Sequence, residues 1–227
     1  MTRRSRALGA SRMALLLLLI PVAGTAQLAV SGTGLLTYFE HQVDIGFGVE
    51  ASHGLLVGAE GVVDLRPRIA FRLHAAGGSL STDAVGAENR DVGEIGVQAS
   101  IAPTPWLALL GGMTSRMYST AIARQHWTAL DLGAEARLDF AASPMRGVLR
   151  AALLPSVSAT GLPGPNLALT AAAGIEYRRA AITGGLFYGL ERYDFPDEGA
   201  GRRLEQVSTL TFRLTVRRSG IIKGRTK

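Results

Sequence analysis

An alternation of apolar and polar residues recurs almost throughout this 227-residue chain, and it constrains the fold more than any other feature. The clearest case is 128–140, where Leu130 and Leu132 share one parity and Asp131 and Glu135 share the other. Successive side chains of a strand point to opposite faces, whereas a helix would scatter these charges around its circumference. The pattern therefore predicts an all-β chain.

The same alternation predicts about ten strands. A strand at 43–51, with Val43, Ile45, Phe47 and Val49 on one face, would precede a hairpin loop at Ser52-His53-Gly54. Residues 27–42 read as an N-terminal extension or a further strand. Ten strands keep both termini on the periplasmic side and are therefore favoured, while eight or twelve remain open. The other nine strands are predicted at 55–65, 69–76, 92–101, 106–118, 128–140, 148–158, 167–178, 182–193 and 206–217.

The connections between these strands also alternate in character. Short turns such as Pro103-Thr104-Pro105 are followed by longer polar stretches such as 81–90 and 196–205. Short turns on one side and longer loops on the other are typical of an antiparallel up-and-down transmembrane β-barrel. Pro155 cannot donate to a sheet ladder, so it marks a bulge or the point where its strand leaves the membrane.

The two ends of the chain differ from its middle. Residues 1–12 are basic, 13–23 form an apolar run too short to span a bilayer, and small residues follow, which predicts a cleaved signal peptide at 1–26. The predicted domain organisation is therefore a signal peptide at 1–26, an N-terminal extension or extra strand at 27–42, an outer-membrane β-barrel at 43–218 and a basic C-terminal tail at 219–227.

Charge and composition exclude several classes of function. The chain carries a net charge of +6 and no cysteine, which excludes disulfides and thiolate sites. Nine of the 24 basic residues lie in 1–26 and 217–227, leaving 15 bases against 18 acids between them. A nucleic-acid-binding protein would keep a basic patch in its folded body, so no nucleic-acid partner is expected.

The apolar face is predicted to contact lipid. The polar faces mix charges with many glycines, as a narrow barrel interior requires, and the only two lysines of the chain lie in its last five residues. A soluble exported ligand-binding barrel, with its apolar face inside, is the alternative. The predicted lipid-facing residues are Leu130, Leu132, Leu138, Leu210, Phe212 and Leu214.

Several aromatic residues fall near predicted strand ends, as in the interfacial girdles of outer-membrane barrels. Trp106, Phe140 and Tyr177 would lie at the periplasmic rim, and Tyr118, Trp127, Tyr193 and Phe195 at the outer rim.

The polar face places many charges inside the barrel, where they must pair or stay hydrated. They predict either an ion-pair network that fills the lumen or a narrow channel for small solutes. The predicted lumen network comprises Glu60, Arg72, Glu94, Arg116, Asp131, Glu135, Arg137, Arg150, Glu176, Arg178 and Arg213.

Over about 43–218, these alternating strands resemble the small outer-membrane β-barrel proteins of Gram-negative bacteria. The resemblance implies location in the outer membrane, contact with its lipids and insertion by the barrel-assembly machinery. Such proteins commonly end on an aromatic residue, whereas here Phe212 lies inside the last strand and the chain continues through Arg217-Arg218.

The sequence offers little catalytic chemistry. His53 with Ser52, and His126 with Asp131 or Ser119, are the only pieces of a nucleophilic site, and both histidines fall in predicted loops. We therefore predict no catalytic residue, metal or cofactor, and a structural protein or narrow channel. A barrel enzyme acting on lipid or peptide at the outer rim is the alternative.

Overall fold

A computed structural model describes residues 29–46, 48–66, 68–83, 88–197 and 201–219. The predicted signal peptide and nearly all of the predicted basic tail lie outside these residues. No helix within the described ranges is long and apolar enough to cross a membrane. The strands are β1 (Ala29–Asp44), β2 (Val49–Arg66), β3 (Ile69–Thr82), β4 (Arg90–Thr104), β5 (Leu107–Ser119), β6 (Arg124–Asp139), β7 (Met145–Ala159), β8 (Leu167–Arg179), β9 (Ile182–Asp194) and β10 (Leu204–Ser219).

The ten strands form one closed antiparallel barrel in which each strand pairs with its neighbours in the sequence, and β1 pairs with β10. The predicted all-β up-and-down fold is therefore confirmed. The start of β1 and the end of β10 lie at one end of the barrel, which we call the terminal end. The opposite end, which carries the connections β1–β2, β3–β4, β5–β6, β7–β8 and β9–β10, is the loop end.

The outer face of the barrel carries a belt of exposed apolar side chains. Leu36, Leu73, Leu132, Leu186 and Phe212 are each about half exposed, on five different strands. Such a belt around a closed sheet is the surface that acyl chains cover in a membrane barrel. All six residues predicted to face lipid are exposed on this face: Leu130, Leu132, Leu138, Leu210, Phe212 and Leu214.

The first strand differs from the prediction. Residues 29–44 form β1, and the strand predicted over 43–51 is wrong because the chain turns between β1 and β2. Gly46 has a φ of 83°, a left-handed conformation that favours glycine, and its N–H donates to Asp44 Oδ1 at 2.8 Å. The prediction failed because the alternation of apolar and polar residues in the sequence does not stop where β1 ends.

Pro155 lies at a β-bulge in β7, which is the first of the two possibilities that the sequence left open for this residue. Leu132 pairs with Leu153, whereas Leu130 pairs with Ser156, so β7 contains one residue more than β6 over this stretch. A bulge of this kind leaves one residue unpaired, which suits a residue without an N–H.

Small residues let the strands approach closely on the inner face. A Cβ atom added to Gly133 of β6 would lie 2.3 Å from the Ala151 carbonyl oxygen and 2.5 Å from the Ala152 Cβ. Neither contact is possible without movement of the backbone. The prediction that a narrow interior needs glycine beside its charged residues is consistent with this geometry.

The seam between β1 and β10 is lined on its inner face by paired threonines. The hydroxyls of Thr33 and Thr215 lie 2.8 Å apart, and those of Thr37 and Thr211 lie 3.0 Å apart. These cross-strand hydrogen bonds join the first and last strands of the described chain.

Candidate functional site in the barrel lumen

The loop-end half of the lumen is filled by a cluster of buried, mainly apolar side chains, which we call the apolar plug. Every one of the ten strands contributes at least one residue to it. Its buried members are Phe39, Leu56, Leu80, Val92, Tyr118, Trp127, Leu154, Ala159, Ala168, Tyr193, Phe195 and Val207.

Aromatic contacts hold the centre of the plug together. The ring of Trp127 meets that of Tyr193 edge to face at 5.1 Å between centroids, and that of Phe195 at 6.0 Å. On the other side, His41 stacks on Tyr118 at 5.0 Å. Such pairs stabilise beyond the apolar area that they bury.

The predicted outer aromatic girdle is therefore wrong for all four of its residues, which are buried inside the barrel: Tyr118, Trp127, Tyr193 and Phe195. Each shares the parity of a lumen charge two or four residues away, and parity decides the face. The other three predicted girdle residues, Trp106, Phe140 and Tyr177, are about half exposed at the terminal end.

Arg116 lies directly beneath the plug and binds two carboxylates. Its Nε donates to Glu94 at 2.6 Å, and its two terminal nitrogens donate to both oxygens of Glu191 at 2.9 and 3.0 Å. His74 approaches Glu94 at 3.2 Å, and the hydroxyl of Tyr193 donates to Glu191 at 2.7 Å. A bidentate pair of this kind fixes geometry as well as charge.

A second buried pair lies within the plug. His41 Nε2 is 2.8 Å from Glu205 Oε2, and Arg203 Nε donates to Glu205 Oε1 at 2.7 Å. His41 and Glu205 are 3% and 1% exposed. Sequence reasoning missed these residues because 27–42 was unassigned and 196–205 was read as a loop, although His41 shares its parity with Thr33 and Phe39.

Below Arg116 the lumen opens into a cavity of about 250 Å³. The charges that line it are spaced further apart: Arg72 lies 3.5 Å from Glu60, and Arg150 lies 3.6 Å from Asp131. Gln98 donates to Asp131 at 3.1 Å. We call this space the central cavity.

Arg213 also lines the central cavity but pairs with no carboxylate of the described chain. Its guanidinium lies 4.7 Å above the ring of Phe187, and its buried Nε has no hydrogen-bond partner among the described residues. Buried guanidinium groups are normally satisfied by carboxylate, carbonyl or water, so this one is a donor without an acceptor.

The terminal end carries more exposed ion pairs. Asp139 accepts hydrogen bonds from Arg146 at 2.7 Å and from Arg178 at 2.6 Å. Arg217 donates to Asp64 at 2.9 Å. Further inside, Arg137 Nε donates to Glu135 at 2.8 Å, while Glu176 faces the lumen without an ion pair to any described residue. Of the eleven residues of the predicted lumen network, seven line the central cavity: Glu60, Arg72, Glu94, Arg116, Asp131, Arg150 and Arg213.

The histidines outside the lumen offer fragments of catalytic chemistry. His126 Nε2 lies 2.8 Å from Ser115 Oγ on the outer face near the loop end, instead of near Asp131 or Ser119 as predicted. His53 Nδ1 lies 3.6 Å from Asp83 Oδ1. Among the described residues, no group of three or more His, Asp or Glu side chains could hold a metal ion.

Solved outer-membrane barrels are similar to this chain, and one of them shares its fold with a TM-score above 0.5. The outer membrane protease OmpT from Escherichia coli is 9% identical, with a TM-score of 0.52 over 85% of this chain and 96% of that chain. The translocator domain of the autotransporter NalP from Neisseria meningitidis is 14% identical, with a TM-score of 0.45 over 87% and 89%. Neisserial surface protein A is 10% identical, with a TM-score of 0.36 over 87% and 99%.

The closed ten-stranded sheet, its apolar outer belt and the fold shared with OmpT make this chain a β-barrel with the fold of outer-membrane barrels. The predicted fold class is confirmed. No protein-family model and no curated protein matches the chain, so no narrower family is defined.

Proposed function

We propose that the protein is a sealed, non-enzymatic outer-membrane β-barrel that serves as a structural membrane protein rather than as an open channel. The apolar plug carries this proposal, because it fills the loop-end half of the lumen with side chains from all ten strands. A hydrated path for ions would have to pass between tightly packed rings. Hydrophobic constrictions of this kind exclude water and ions.

The partners that follow are lipids and assembly factors. The outer belt fits acyl chains, and outward-facing polar residues near the loop end, such as Glu40, His53 and Arg192, fit the headgroup region. As in the class of protein it resembles, insertion would use the barrel-assembly machinery.

Conductance in planar bilayers tests the seal. We expect the wild-type protein to show no steady conductance, and the double variant Trp127→Ala, Phe195→Ala to conduct because the centre of the plug is lost. Trp106→Ala is the matched control, since it removes an aromatic ring from the outer face. Heat-dependent migration on a detergent gel verifies that each variant forms a closed barrel.

A steady wild-type conductance that the Trp127 and Phe195 substitutions leave unchanged would contradict the sealed barrel. It would favour the narrow channel instead.

A second candidate function is hydrolysis at the outer rim. Ser115 and His126 are in hydrogen-bond contact near the loop end of the outer face, as a nucleophile and its base would be. OmpT, which shares the fold, is a protease. Hydrolysis of phospholipid or peptide by the wild type in proteoliposomes, abolished by Ser115→Ala and His126→Ala alike, would support this candidate over the non-enzymatic one.

A further inference from the structure

We propose that the central cavity is a binding site for a compact oxyanion, such as phosphate or a carboxylate, held by Arg72, Arg150 and Arg213. The site lies inside the lumen, below the apolar plug, and is independent of whether the barrel conducts. A single cavity of about 250 Å³ is bordered by all three guanidinium groups. This volume accommodates a phosphate ion together with several water molecules.

Four arginines and four carboxylates line the cavity, and they are unevenly distributed within it. In its upper part, Arg116 is saturated by Glu94 and Glu191. In its lower part, three arginines face two carboxylates, and both carboxylates lie 3.5 Å or more from the arginine that they accompany.

Arg213 is the residue that points most directly to a ligand. Its Nε is buried and has no acceptor among the described residues, and its guanidinium lies 4.7 Å from the centre of the Phe187 ring, which offers no hydrogen-bond acceptor of the carboxylate kind. Leaving a charged donor unsatisfied in a partly buried site is costly, and an oxyanion would accept its hydrogen bonds.

Hydroxyl groups complete the site. Thr37, Thr170, Thr209 and Thr211 line the same cavity as the arginines. Hydroxyls donate to phosphate and carboxylate oxygens and accept from bound water, so they can complete the hydrogen bonding of an oxyanion that the arginines hold.

The anion would enter from the terminal end, because the plug closes the other side. A second cavity of about 90 Å³ lies toward that end and shares Arg72 and Gln98 with the central cavity. Arg68, in the β2–β3 turn, Arg137 and Asp64 also line it. The second cavity is therefore bordered by three arginines and one carboxylate, an excess of positive charge that attracts anions.

Isothermal titration of the detergent-solubilised full barrel with sodium phosphate, against sodium chloride at matched ionic strength, tests the proposal. We expect saturable binding by the wild type. Arg213→Gln should weaken it about tenfold or more, because one charged hydrogen-bonding group is lost. Acetate titrated in parallel distinguishes a phosphoryl-selective site from one for any oxyanion.

The matched control is Arg146→Gln, which removes another lumen-side arginine, one that binds Asp139 outside the cavity. It should leave phosphate affinity unchanged within about twofold, a difference well below the effect of one charged hydrogen bond. No saturable binding by the wild type, or equal affinities of the wild type and Arg213→Gln, would overturn the proposal. A conducting wild type would contradict only the sealed barrel, so the two failures are distinguishable.

Discussion

The two halves of the lumen differ in how the same inward-facing positions are used. In the loop-end half, aromatic rings pack against one another and Arg116 holds its carboxylates at 2.6–3.0 Å. Around the central cavity in the half toward the termini, the Arg72–Glu60 and Arg150–Asp131 pairs lengthen to 3.5 and 3.6 Å, and short ion pairs return only at the terminal rim. The comparison teaches that strand parity sets which residues face inward, while their size and pairing decide whether the interior is sealed or open.

The largest effect should come from removing the cation beneath the plug. Arg116→Leu leaves Glu94 and Glu191 without their shared partner, which should lower the free energy of unfolding by about 3–5 kcal/mol. Arg213→Leu makes the same change at the central cavity, and its free energy of unfolding should lie within about 1 kcal/mol of the wild-type value because no carboxylate loses a partner. Urea titration in lipid bilayers measures both.

Equal losses for Arg116→Leu and Arg213→Leu would show that pairing does not distinguish the two halves. Tryptophan fluorescence from Trp127 reports whether the plug itself is disturbed, since that ring lies inside it.

A smaller effect is expected from adding charge outside the lumen. Leu132→Arg places a cation in the apolar outer belt and should destabilise the inserted barrel by about 2–4 kcal/mol near the bilayer midplane. Thr114→Arg should cost less, because Thr114 lines the central cavity. A folding titration in which both variants lose the same stability would refute the assignment of the outer face to lipid.

The smallest effect is expected at the terminal rim. Arg217 is largely exposed and pairs with Asp64 at 2.9 Å. Arg217→Gln should cost no more than about 1 kcal/mol, and the cost should shrink as salt is raised, because exposed ion pairs are weak and screened. Unfolding in 0.05 and 0.5 M salt checks this, and a large cost that salt does not change would contradict it.

The fold could be predicted from the sequence because lipid on one side of the sheet and the lumen on the other require opposite polarity of alternate residues. The same rule placed the Asp131 and Glu135 side chains inside. It could also have placed Trp127 inside, four residues before Asp131. The girdle prediction failed there because it used distance from the strand end and left parity out.

Other features could not be read from the sequence. Arg116 and Glu191 lie 75 residues apart, and their contact depends on the stagger of strands around the closed barrel. The turn at Asp44–Gly48 kept an alternating pattern, so only local backbone geometry at Gly46 separates β1 from β2. The central cavity likewise depends on which strands oppose each other across the interior.

The threonine pairs along the β1–β10 seam bear on how the cylinder is completed. Thr33 and Thr215 are 182 positions apart, so pairing their strands carries the entropic cost of closing a very long loop. Before the two strands pair, each threonine hydroxyl can hydrogen-bond to water, and after pairing it hydrogen-bonds to the threonine across the seam. Closing the barrel here therefore exchanges hydrogen bonds without burying an unpaired charge. We expect the pairing of β1 with β10 to be the last step of barrel assembly and the first strand pair to separate when the closed barrel opens.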